Sequence, residues 1–295
     1  MNELNCIIEV IPLVSIVCIT YNQETYITHA IKGFLMQKTK FQFEIIIHDD
    51  ASTDKTAEII QLYQKKFPKL FKCIFQTVNQ YSRKDGSLEN IIFSAPRGKY
   101  IAFCEGDDFW TDPNKLQKQV DFLEANEKIS FCFHNATSYN VDTKISEDFN
   151  GKLKTKLYNT NDLLLKRWFI PTASLLFRKE MLPKPFPEWY YKVYNGDYAL
   201  ELMLSTKGDF FCINEKMSIY RKNAINSLTL NGPDAIDIVE KKLFLLTEFK
   251  KYNLNKNKFA INFAIAKMRY DQLKVHLYEK FPFLVILKIR LLRKK

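Results

Sequence analysis

His48-Asp49-Asp50-Ala51-Ser52-Thr53-Asp54 closes the apolar run Phe43-Glu44-Ile45-Ile46-Ile47, and its reading decides the fold. A run that is apolar at consecutive positions suits a strand buried on both faces, as in a parallel sheet. A second acidic cluster, Glu105-Gly106-Asp107-Asp108, ends a second such run, Tyr100-Ile101-Ala102-Phe103-Cys104. Two strands thus deliver carboxylates to their carboxyl ends, the edge at which an open α/β sheet binds ligands. Carboxylates there suit a ribose hydroxyl and a divalent cation on a diphosphate, so the chain reads as an enzyme handling an activated nucleotide.

Working outward, Val14-Ser15-Ile16-Val17-Cys18-Ile19-Thr20 is another β-branched apolar run and predicts a buried strand. Ile27, Ala30, Ile31, Phe34 and Leu35 fall on one helical face, which predicts a helix from about residue 24 to 37 packed on the sheet. After His48, Thr53 or Asp54 can cap a helix carrying Ala57, Ile60, Leu62 and Phe67. Residues 70–76 and 100–104 read as strands, and residues 129–134 as another. Asp112-Pro113 opens a helix through Leu116, Val120 and Leu123, with aspartate as cap and proline at the first helical position. The sum is an α/β fold.

Three segments, Pro12 to Glu24, His48 to Asp54 and Arg97 to Trp110, resemble in order and spacing those of a family 2 glycosyltransferase. The likeness covers roughly the first half of the chain and thins after Asn135. It implies a GT-A fold, a Rossmann-like mixed sheet flanked by helices. It also implies inverting transfer from a nucleotide sugar, most often a UDP-sugar, with bound Mg²⁺ or Mn²⁺. Carried over residue by residue, Thr20, Tyr21, Asn22 and Glu24 would lie beside the base, Asp49 or Asp50 on uracil or ribose, and Arg97 and Asp107 also on the nucleotide. The chemistry is reasonable, since an aromatic ring offers a stacking face and a carboxylate accepts from an imide N–H or a hydroxyl.

Glu105 to Asp108 stands where the family keeps its Asp-x-Asp motif, with Glu at the first acidic position. That leaves open which of Glu105, Asp107 and Asp108 touches metal and which touches ribose; Asp107 and Asp108 are favoured for the metal. Glu105, Trp110 and Arg221 are placed by the resemblance near the diphosphate or acceptor. Tyr194-Asn195-Gly196-Asp197-Tyr198 resembles the segment holding the family's catalytic base, and Asp197 takes that role. The segment Met217 to Asn223 resembles one that often reads Tyr-Arg-x-His, but Asn223 stands at the usual His position.

Simpler roles compete with these. Asp49 to Asp54 has the composition of a turn with a helix cap, and Asp197 alone reads as a cap. The carboxylates from Glu105 to Asp108 repel one another unless a cation is present, which argues for metal. The four histidines have no zinc spacing, and the six cysteines form no Cys-x-x-Cys pair, so both read as structural. No signal peptide is recognisable at Met1 to Cys6, which predicts a cytoplasmic protein.

A chain of 295 residues at 46% hydrophobic can bury a full core. The division expected is a catalytic domain over residues 1–230, with a nucleotide-binding half at 12–135 and an acceptor half at 136–230, then a helical extension over 231–295. Helical spacing recurs from about 234 to 249 and 258 to 278. The finish, Phe281 to Lys295, mixes apolar residues with cations and reads as a basic amphipathic tail for an anionic membrane surface, peripheral on the inner face of the plasma membrane. Forty-four Lys and Arg against 33 Asp and Glu give +11, spread over no nucleic-acid motif, so no nucleic-acid partner is expected. The expected partners are a nucleotide sugar and a saccharide or lipid-linked saccharide, in cell-surface polysaccharide or glycolipid synthesis. The rival classes are a nucleotidyltransferase, which would want a glycine-rich loop where Thr20 to Glu24 has none, and a non-enzymatic basic binder of nucleic acid or membrane.

Overall fold

The computed structural model describes residues 11–166, 168–227, 235–254 and 256–280. The first half alternates strand and helix: β1 (Val14–Thr20), α1 (Ile27–Leu35), β2 (Phe43–Asp49), α2 (Thr56–Lys66), β3 (Phe71–Phe75), α3 (Ser87–Ser94) and β4 (Tyr100–Phe103). Next come β5 (Phe109–Trp110), α4 (Lys115–Ala125), β6 (Phe131–Asn140), β7 (Ser146–Asp148), β8 (Lys156–Tyr158), α5 (Thr160–Lys166) and β9 (Leu176–Arg178). The chain continues through α6 (Gly196–Ser205), β10 (Phe210–Lys222), α7 (Ala235–Tyr252) and α8 (Lys258–Lys280).

The strands join in one mixed sheet of order β3-β2-β1-β4-β9-β6-β10-β5, with β7 on β6 and β8 on β10. β3, β2, β1 and β4 are parallel, and the register runs from Val14 opposite Phe43 to Thr20 opposite Asp49. β9 is antiparallel to both β4 and β6. The order reverses between β1 and β4, since β2 and β3 grow to one side and β4 pairs on the other. That is a topological switch point, where side-by-side loops leave a crevice outside the carboxyl ends.

The period of two along a strand sends neighbours to opposite faces. Ile16 and Cys18 of β1 pack with Ile27, Ile31, Ile45 and Leu116 on one face, under α1 and α4. Val17 packs on the other with Ile101, Phe131, Phe177 and residues of α6 to α8. Close packing needs Gly33, because a Cβ there would stand 2.9 Å from the Trp110 backbone nitrogen. The buried Arg178 guanidinium ties strand to helix, donating to the Leu123 carbonyl at 2.6 Å, the Ile129 carbonyl at 3.1 Å and the Tyr100 hydroxyl at 2.9 Å.

The predicted elements of the first half are all present. The apolar face expected of α2 is narrower than predicted: Ile60 is buried, but Leu62 is 65% exposed because it points away from the sheet. β6 runs on to Asn140, six residues past its predicted end, because β10 pairs along its length. α3 and the segment from β7 to β9 had no readable pattern. The two C-terminal helices lie close to their expected places, α7 packing on α6 and α8 on α5. The expected tail, Phe281 to Lys295, lies outside the described residues. Among the described residues no helix is long and apolar enough to cross a membrane, and the cysteines are free.

Candidate active site

The loops leaving β1 and β2 are laced together by side chains. The Asn22 N–H donates to Ser52 Oγ at 2.8 Å, and Asn22 Oδ1 accepts from the Thr53 N–H at 2.7 Å. The Gln23 N–H donates to Thr56 Oγ1 at 2.8 Å, and the Glu24 N–H to Asp54 Oδ2 at 3.0 Å. Glu24 in turn accepts from the Lys55 N–H at 2.9 Å at the start of α2. Asp49 accepts from Ser52 Oγ at 2.5 Å. Asn22, Glu24, Asp49 and the Ser52 to Asp54 stretch thus staple the two loops to each other and to the start of α2, and for Asp49 to Asp54 this is the turn-and-cap geometry their composition predicts.

The lacing leaves Asp50 to face inward. Its two oxygens accept from the Gln80 N–H at 2.7 Å and the Tyr81 N–H at 3.0 Å, which pins the loop after β3 beside the ends of β1 and β2. A cavity of about 810 Å³ opens here, lined by Thr20, Tyr21 and Asp50 at the carboxyl ends of β1 and β2 and by Glu105 and Asp107 after β4. Gly106 lets the β4 loop close on β1, since a Cβ there would fall 2.5 Å from Thr20 Oγ1.

Asp197 and Arg221 complete the polar wall. Asp197 stands in the first turn of α6, and its Oδ2 accepts from Trp168 Nε1 at 3.0 Å and Thr172 Oγ1 at 3.1 Å. Arg221, on β10, donates its backbone N–H to Asp108 Oδ1 at 2.8 Å and its guanidinium to the Asp107 carbonyl. The guanidinium lies between the rings of Tyr26 and Phe109, 5.0 and 4.5 Å from their centroids, so it is held rigidly by cation–π contact.

The carboxylates crowd one another. Burial pushes the Glu105 carboxyl well above its usual range, and Asp107, Asp108 and Asp197 add to the shift. Asp107 is raised by burial, with Arg221 opposing, and Asp108 well above its range by burial and by Asp107. Such a cluster is a natural seat for positive charge. Among the described residues no three acidic, histidine or cysteine side chains group closely enough to hold a metal alone. Magnesium-type sites use one or two carboxylates plus substrate phosphates, so the oxygen-only donor set still fits a divalent cation. Glu105 and Asp107, which line the cavity, are the carboxylates placed to supply such oxygens, while Asp108 Oδ2 is buried beside them with no hydrogen-bond partner.

Arg97, Trp110 and Asp108, expected at the site, stand off the cavity wall. Arg97 precedes β4, at the sheet edge opposite the cavity, where its Nε donates to Glu44 at 3.0 Å and its backbone N–H to the same carboxylate at 2.8 Å. Trp110 is buried against Phe34, with its Nε1 donating to the Ala173 carbonyl at 2.8 Å, because β5 turns the indole under α1. Asp108 is off the cavity wall and braces β10 through Arg221, while Asp107 faces the space. Asn223, at the expected histidine position, donates to Asp142 at 2.7 Å. Glu201, one turn past Asp197, is fully buried away from the cavity with neither oxygen partnered, and burial holds its carboxyl well above the usual range. No periodicity or motif in the sequence marks Trp168, Thr172 or the Gln80-Tyr81 amides.

Residues 15–184 match the family described as glycosyl transferase family 2. The chain belongs to that family. An uncharacterized protein of Mycobacterium tuberculosis is 38% identical over 213 residues, 71% of this chain and 59% of its own length. The chain thus spans about three fifths of the length of that relative. The Escherichia coli protein WfgD, named a UDP-Glc:alpha-D-GlcNAc-diphosphoundecaprenol beta-1,3-glucosyltransferase, is 29% identical over 203 residues, 68% of this chain and 73% of WfgD. Among solved structures, Staphylococcus aureus TarS 1-349 in complex with UDP-GlcNAc superposes with a TM-score of 0.66 over 91% of this chain and 75% of that one, at 16% identity. The fold is GT-A-like, a mixed sheet flanked by helices with further helices at the C-terminal end.

Proposed function

We propose that this glycosyltransferase moves a sugar, with inversion, from a UDP-sugar to a hydroxyl of a lipid-linked saccharide. The observation that carries the reading is the meeting of Asp50, Glu105, Asp107, Asp197 and Arg221, from four separate segments, on one cavity wall. Tyr21 offers a ring face to the base, and Asp50, fixed by two amides, keeps lone pairs for a ribose hydroxyl or imide N–H. Asp107, with Glu105 beside it, supplies oxygen ligands for Mg²⁺ or Mn²⁺, whose chemistry when bound is to neutralise charge on the leaving diphosphate. Arg221 adds a fixed positive charge on the same side.

Asp197 is the proposed base. A carboxylate has about four lone-pair sites. Trp168, Thr172 and the Tyr198 N–H fill three and fix the plane, which leaves one for the acceptor hydroxyl. As the hydroxyl oxygen bonds to the anomeric carbon, its proton passes to Asp197 and the bond to diphosphate breaks with its electron pair on the phosphate oxygen. The division of labour assigns residues 12–135 to the nucleotide and 136–230 to the acceptor.

The acceptor class follows from the apolar part of the cavity lining. Besides the carboxylates it is lined by Leu88, Ile92, Phe93, Leu200, Leu245 and Met268, an apolar surface suited to a hydrocarbon chain. The name of WfgD, a relative acting on a diphosphoundecaprenol-linked sugar, supports the same reading. We place the reaction on the cytoplasmic face of the plasma membrane, in assembly of a surface polysaccharide or glycolipid. Thermal-shift screening of nucleotide sugars with Mn²⁺ tests the donor: a ligand at a hundred times its dissociation constant adds about 2.7 kcal/mol of stability. No shift with any UDP-sugar, beside a clear one with another nucleotide sugar, would overturn the donor assignment.

A further inference from the structure

α8 is apolar on two sides. Ala260, Ile261, Ala264 and Met268 are buried against the body of the protein, as an amphipathic helix requires. On the opposite side Phe259 is 82% exposed, Phe263 51%, Tyr270 59% and Leu273 63%. At 3.6 residues per turn these four side chains fall within an arc of about 80°, so they form one stripe along the helix. A contiguous exposed aromatic stripe marks an interaction surface, whereas scattered exposed apolar residues do not.

Charge identifies the partner. From Lys256 to Lys295 the chain has eleven Lys and Arg and two acidic residues, a net +9 of the whole chain's +11. Lys267, Arg269 and Lys274 border the stripe in sequence, and Lys274 Nζ lies 4.1 Å from the Tyr270 ring centroid. Phe and Tyr rings with cations at their margins match the boundary between acyl chains and anionic headgroups, where rings sit at headgroup level and long basic side chains reach the phosphates. We propose that the outer face of α8 docks this enzyme on an anionic lipid bilayer. The inner face of the same helix contributes Ala264 and Met268 to the cavity wall, so docking would set that wall beside the lipid phase. The docking inference stands without the assignment of catalytic roles.

The test is vesicle sedimentation of the full chain and of F259S/F263S/Y270S, with phosphatidylglycerol-containing and pure phosphatidylcholine vesicles at low and high salt. Folding of the variant is checked by circular dichroism. The parent should sediment with the anionic vesicles and release at high salt, and the triple variant should bind them about tenfold or more weakly, since three rings leave the interface. A chain ending at Lys280 should bind less than the parent yet remain sensitive to the same three substitutions. Equal binding by parent and variant overturns the proposal, as does equal binding to neutral vesicles. Light scattering that shows a parent dimer and a variant monomer would make the stripe a contact between two copies instead. Tighter, stripe-dependent binding to single-stranded RNA than to vesicles would also overturn it.

Discussion

The Trp168 indole donates to Asp197 Oδ2 at 3.0 Å, joining a residue of the loop after α5 to the first turn of α6. The bond fixes the carboxylate that faces the acceptor side. Asp197→Asn should keep the fold and donor binding but lower transfer by about 10²-fold or more, since the amide cannot take a proton. Trp168→Phe keeps the ring and loses the donor, so turnover should fall about tenfold, the scale of one hydrogen bond to a charged group. Glu201→Gln should stay within a few-fold of the parent. Turnover and donor affinity measured side by side decide; near-normal transfer by Asp197→Asn would sink the base assignment.

Asp107 and Asp108, adjacent in sequence, should behave differently. Asp107→Ala should abolish the effect of Mn²⁺ on UDP affinity in calorimetry and leave the melting temperature nearly unchanged. Asp108→Ala removes the acceptor of the buried Arg221 N–H, so it should cost about 1–3 kcal/mol of stability as well. Transfer and UDP binding untouched by a chelator would refute the cation assignment for both.

Arg97 pairs with the buried Glu44 at the edge of the sheet away from the cavity. Its guanidinium is partly solvated, and Glu44 keeps Ser15 Oγ and the Arg97 amide as donors. Arg97→Gln should therefore cost about 1 kcal/mol or less in denaturant unfolding. Transfer per folded molecule should not change; a loss of UDP affinity would return Arg97 to the nucleotide.

Lys115 is buried under Trp110, with Nζ 4.0 Å from the ring and donating to Gln119 Oε1 at 2.7 Å. Burial pulls its pKa from 10.5 to about 7, with Cys104 and Cys132 the titratable groups that oppose the shift. Between those values the unfolded chain holds more protons than the folded one. Stability therefore rises with pH in that window, by up to about 1.4 kcal/mol per pH unit, and is lowest at and below neutrality. Lys115→Met should raise the melting temperature at pH 7, and its advantage should shrink toward pH 10. A gap constant across that range would show that Lys115 titrates normally.

The parallel half of the sheet was legible in the sequence because its signals are local. β1, β2 and β4 are mostly apolar runs that need no partner to be recognised, and acidic turns mark the carboxyl ends of β2 and β4. The family likeness rests on those same turns. The segment from β7 to β9 was not legible because these are three-residue strands, too short to show a period, and are defined by β4, β6 and β10 beside them.

By itself the sequence determined the fold class, the family and the acidic edge, since apolar periodicity and short motifs depend on neighbours along the chain. Which carboxylates face the cavity was decided only by tertiary structure. Asp49 and Asp50 are adjacent, yet Asp49 turns to Ser52 while Asp50 meets the amides of Gln80 and Tyr81. Asp107 and Asp108 diverge in the same way, because β10 arrives from more than a hundred residues away to claim Asp108. Adjacent carboxylates in a turn point in different directions, and partners distant in sequence determine which of them remains open to a ligand.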